Sequence, residues 1–91
     1  MEYISDHLTE PDDFYEIFPW DQLSTKAQNT LHRAIERSDV WRTSELTGFS
    51  FDLLSKISLE DLRDARSIGP ARAEELIQEL VAFFMAIRTK A

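Results

Sequence analysis

The sequence predicts an all-α fold: a compact bundle of about five helices, most of them short. Three observations carry this. The 91 residues include only two Gly and three Pro, too few for a loop-rich or all-β chain. Apolar residues recur at helical spacing in two long stretches, 23–38 and 70–88. No stretch shows sustained alternation or an Asn-Gly or Asp-Gly hairpin signal. Hydrophobic residues make up 43% of the chain, enough for one small core and one domain.

Residues 1–22 are expected to form an acidic, aromatic N-terminal arm, and residues 23–91 a helical domain. The arm holds seven acidic residues and no Lys or Arg, so it accounts for the whole net charge of −7. The remaining 69 positions balance ten acids against ten bases. A net acidic chain is a poor nucleic-acid binder at first sight, but a balanced body leaves room for a basic face. The arm also carries Tyr3, Ile4, Leu8, Phe14, Tyr15, Ile17, Phe18 and Trp20, whereas disordered tails are poor in aromatics. It can therefore pack on something. Pro11 and Pro19 bracket Asp12–Phe18, which reads as a short helix with Phe14, Ile17 and Phe18 on one side.

The first long helix runs from Leu23 to Ser38. Thr25 and Gln28 have the spacing of a capping box. Ala27, Leu31, Ala34 and Ile35 share one face. Ser44–Gly48 reads as one helical turn stopped by Gly48. Ser50 is an N-cap for Phe51–Lys56, and Ser58 for Leu59–Arg66. Pro70 suits the first position of a helix running to Arg88, because its missing N–H would be unbonded there anyway. Ala73, Leu76, Ile77, Leu80, Phe84 and Ile87 form its core face. The seven residues Val81–Ile87 are all apolar, more than a surface helix needs. This end is either wrapped by the arm or buried in a homodimer. Phe14, Phe18, Phe83 and Phe84 are its candidate partner or dimer contacts.

The chemistry expected is binding and not catalysis. The chain has no cysteine, which excludes disulfides and thiolate metal sites and fits a reducing cytoplasm. The N-terminus lacks the basic start and apolar stretch of a signal peptide, and no run is long enough to span a membrane. His7 with Asp12, Asp13 and Glu16 fits no recognised metal site and reads as a solvated acidic surface. Ser24 and Thr25 read as helix caps, with no histidine–acid pairing to activate them. Trp20 and Trp41 sit beside helix boundaries and read as packing residues. Arg63 and Arg66 read equally as phosphate contacts or as partners of Glu60, Asp61 or Asp64 on a solvated face. No cofactor is expected.

The most informative feature is the turn Ile68-Gly69-Pro70-Ala71-Arg72 between two helices. Gly69 permits close approach of another molecule. The following helix points free N–H groups and its positive dipole end outward, and Arg72 adds charge beside them. The same turn also serves simply to end one helix and begin the next.

The turn resembles a helix-hairpin-helix module. Leu23-Ser24-Thr25-Lys26-Ala27-Gln28-Asn29-Thr30-Leu31 is similar to the first helix of the C-terminal domain of the bacterial RNA polymerase α subunit. Asp52-Leu53-Leu54-Ser55-Lys56-Ile57-Ser58-Leu59-Glu60-Asp61-Leu62-Arg63 resembles that family's middle segment, and Arg66-Ser67-Ile68-Gly69 its final turn. The resemblance covers roughly residues 19–82. It implies minor-groove binding to A/T-rich DNA and docking of RNA polymerase, σ factor or a transcription regulator. Lys26 stands where the family has its principal minor-groove arginine. Asn29 matches the asparagine that contacts the DNA backbone, and Gly69 the glycine whose N–H faces phosphate. Ala71 and Arg72 stand where the family usually has a lysine and a serine. Lys26 keeps the charge of arginine but not its planar fork. The segment before Asp52 is longer than in the family, and the α subunit's assembly domain has no counterpart, which implies a free-standing relative.

The expected DNA face is therefore Lys26, Asn29, Arg33, Gly69 and Arg72, with Arg37 nearby and the acidic arm as its candidate shield. The competing reading is a protein-interaction module that has kept the fold and lost DNA binding.

Overall fold

The computed structural model describes residues 1–38, 47–65 and 68–90. In chain order these form a 3-10 turn Ile4–His7, strand β1 Phe18–Pro19, a 3-10 turn Trp20–Gln22, helix α1 Thr25–Ser38, strand β2 Gly48–Phe49, helices α2 Phe51–Leu54, α3 Leu59–Asp64 and α4 Pro70–Lys90. The fold is mostly helical, with four α-helices among the described residues. The radius of gyration is 12.1 Å, close to the ~12 Å of a compact chain this long. No described helix is long and apolar enough to cross a membrane.

Local signals set most helix starts. The Ser50 hydroxyl accepts the Leu53 N–H at 3.1 Å, and the Ser58 hydroxyl accepts the Asp61 N–H at 3.0 Å. Helix α4 begins at Pro70. Helix α1 is capped by Ser24 and not by the expected Thr25–Gln28 box. The Ser24 hydroxyl accepts the Ala27 N–H at 3.1 Å. Gln28 donates instead to the Leu23 carbonyl at 2.9 Å. Ala27, Leu31, Ala34 and Ile35 are buried as their spacing predicts. Thr30 is buried with them, and its hydroxyl donates to the Lys26 carbonyl at 2.9 Å.

The N-terminal segment is part of the core. The Ile4 N–H donates to the Ile57 carbonyl, and the Leu59 N–H to the Glu2 carbonyl, both at 2.9 Å. The Ile4 side chain is fully buried between them. Further on, the Phe14 carbonyl accepts the Asp52 N–H at 3.1 Å. The expected helix over Asp12–Phe18 does not form. Asp13 takes the Tyr15 N–H on its own carboxylate at 3.0 Å, which competes with helical bonding. Pro19 then holds Phe18 extended, and Phe18 pairs antiparallel with Phe49.

That strand pair also corrects the expectation of no β-structure and the reading of Gly48 as a helix stop. A Cβ on Gly48 would lie 2.0 Å from the Phe18 carbonyl oxygen. Only glycine lets the two backbones meet there. Ser44, Glu45 and Leu46 of the expected turn, like Trp41 and Arg66, lie outside the described residues.

The pairing sets Phe18 over the C-terminal half of α4, 5.0 Å from Phe83 and 5.8 Å from Phe84, ring to ring and edge-on. Phe49 and Phe51 also pack on Phe84, and Phe14 on Phe51. Phe18 and Phe84 are core residues, while Phe14 and Phe83 are half-buried against it. Phe18 of the N-terminal segment thus covers part of the apolar run of α4, at Phe83 and Phe84, while Ala82, Met85 and Ala86 of the run are exposed.

Two substitutions test this account by urea unfolding. Ile4→Ala is expected to destabilise the chain by about 2–5 kcal/mol. Gly48→Ala is expected to cost about 2–3 kcal/mol through forced separation of β1 and β2. Gly69→Ala is the control: a Cβ there meets nothing within 4 Å, so stability should move by less than about 0.5 kcal/mol.

Candidate functional site

Helix α1 presents its buried face to α3 and α4, which leaves Lys26, Arg33 and Arg37 along one exposed edge at i, i+7 and i+11. Asn29 is exposed beside them. Helix α4 runs past the start of this edge. Lys26 and Arg72, distant in sequence, line one cleft together with Ser24, Thr30, Glu75 and Glu79. The cleft holds about 40 Å³, room for a water or two and not for an organic ligand. At the far end of the edge, Arg33, Glu36, Arg37 and Asp64 line an open groove between α1 and α3.

Of the expected DNA-face residues, Lys26 and Arg72 share the cleft, Asn29 and Arg33 continue it along α1, and Gly69 sits at the start of α4. Gly69 is exposed, and its backbone is not in the left-handed region. With no neighbour to crowd a Cβ, the fold does not require glycine there. What glycine supplies is bare backbone at the surface, at the head of a long helix.

The sequence did not single out two residues that dominate the cleft's electrostatics. The Lys26 ammonium is paired with Glu75 at 2.8 Å. Glu79 accepts the Ser24 backbone N–H at 2.7 Å and the Ser24 hydroxyl at 2.8 Å. A capping box normally takes its second half from a Glu or Gln three residues into the same helix. Here that position is Ala27, and Glu79 delivers the carboxylate from α4. Its negative charge also complements the positive end of α1. The only trace in the sequence is that Glu75 and Glu79 stand four apart on α4; which helix they face is set by packing.

The carboxylates that line the cleft are Glu75 and Glu79 of α4, and no residue of 1–22 lines it. Asp12 is bonded to Arg88 at the other end of α4, about 24 Å along the helix from Arg72. Arg37 is paired more loosely with Asp61, at 3.9 Å. Arg33 and Arg72 form no ion pair with a described residue. These two cations, with Lys26 and Arg37, are the positive charges at the edge.

The remaining candidates are placed by local contacts. Trp20 packs edge-on against His32, ring centres 4.4 Å apart. His7 bonds to Glu2 at 2.9 Å. Among the described residues no three His, Cys, Asp or Glu are grouped to hold a metal ion.

The cross-helix cap predicts coupled stability. Ser24→Ala and Glu79→Ala should each cost about 1 kcal/mol in urea unfolding. The double variant should cost at least about 0.5 kcal/mol less than their sum; strict additivity would contradict the contact. In comparisons with known proteins, the chain matches no family model, no curated protein and no solved structure.

Proposed function

We propose that the chain is a small DNA-binding module of the transcription apparatus, acting in the cytoplasm and carrying out no reaction of its own. The edge of α1 and the start of α4 contact the DNA backbone and the minor groove. Helices α3 and α4 serve as the two helices of the helix-hairpin-helix. The observation that carries this reading is the convergence of Lys26 and Arg72 on one cleft. Asn29 and Arg33 lie on the same exposed side of α1, and Gly69 is bare where the fold does not need it. Resemblance to the polymerase domain supplies the DNA class, and the exposed cations supply the means. RNA polymerase, σ factor or a regulator are the protein partners that the same resemblance suggests.

One observation favours the alternative, a protein-interaction module without DNA binding. The basic edge faces Glu75, Asp61 and Asp64 along its length, and those carboxylates repel phosphate.

A salt titration of the full chain against short A/T-rich and G/C-rich duplexes separates the two. The DNA reading expects tighter binding to A/T-rich duplex, with a salt slope of about 2–4 phosphate contacts. Lys26→Ala and Arg72→Ala should each lower affinity and the slope by about one contact. Gly69→Ala should weaken binding without changing stability. No binding by the full chain at low salt would leave the protein-interaction reading.

A further inference from the structure

Glu75 and Glu79 hold the same cleft in different ways. Glu79 is fixed: two donors of Ser24 end on its carboxylate, and both would lose their partner if it moved. Among the described residues Glu75 makes one ion pair, with Lys26, and the two side chains are 54% and 56% exposed. An exposed pair of this kind is weak and opens readily.

A single phosphate offers Lys26 only what Glu75 already supplies. It must also approach the fixed charge of Glu79. A duplex presents a row of phosphates, so Arg33, Arg72 and the backbone at Gly69 can be engaged at the same time, with release of counterions. Several contacts formed together outweigh the opening of one weak pair.

Building on the DNA reading, we infer that Glu75 is a built-in competitor for phosphate, which closes the cleft to isolated anions and yields Lys26 only to a polyanionic backbone. Glu75 is in this sense the residue that sets the selectivity of the site, through Lys26 and without itself touching the ligand.

The test uses the full chain, a fluorescent A/T-rich duplex and inorganic phosphate as competitor at matched ionic strength. Glu75→Gln removes the charge and keeps the shape. It should tighten duplex binding about fivefold and let phosphate displace the duplex at lower concentration than from the wild type. Glu10→Gln, the same change in charge away from the cleft, should alter affinity less than about twofold. In a Lys26→Ala background, Glu75→Gln should bring no gain. Duplex binding that Glu75→Gln leaves unchanged or weakens would overturn the inference and leave the DNA reading intact. So would a gain that persists without Lys26, because it would then be a general effect of charge. Absence of duplex binding by every version, Glu75→Gln included, would overturn the DNA reading and the inference with it.

Discussion

The close approach of Gly48 to Phe18 holds the rest of the molecule in place. It joins the N-terminal segment to the chain before α2, and it sets Phe18 against Phe83 and Phe84. Without that seam, Phe18 would lose its place against the apolar end of α4, while the segment before it would still be held by the backbone bonds to Ile57, Leu59 and Asp52. The cleft between α1 and the first turns of α4 is lined by no residue of the acidic segment, whose Asp12 is bonded to Arg88 near the other end of α4.

This division explains how a chain of net charge −7 can carry a cationic edge. Charge summed over a small protein says little about any one face; what matters is which carboxylates the fold brings within reach of each cation. For Lys26 that carboxylate is Glu75, and for the N-terminus of α1 it is Glu79. The same helix that supplies Arg72 supplies both. Helix α4 therefore sets one cation and two carboxylates in the same cleft.

The helices were largely legible in the sequence. Caps at Ser50 and Ser58 and the start at Pro70 depend on residues within one turn, and such local chemistry does not wait for tertiary contacts. The core face of α1 and α4 followed from spacing alone. The strand pair did not, because two residues per strand are too few for a period, and their partners lie about thirty positions apart. The helix expected at Asp12–Phe18 failed where Asp13 and Pro19 turned the backbone another way. Within the site, the basic residues could be named from the sequence, while Glu75 and Glu79 could not. Their role depends on the packing of α4 against α1, and nothing in a helical repeat of acids tells a solvated face from one that caps a neighbour.

The most direct test of the cleft as the DNA face is amide mapping of the full chain by two-dimensional NMR during addition of an A/T-rich duplex. The account predicts shifts concentrated in residues 24–33 and 68–76, with residues 12–18 unmoved. Shifts confined to residues 12–18 and the end of α4 would place the interaction on the acidic side of the molecule and contradict it.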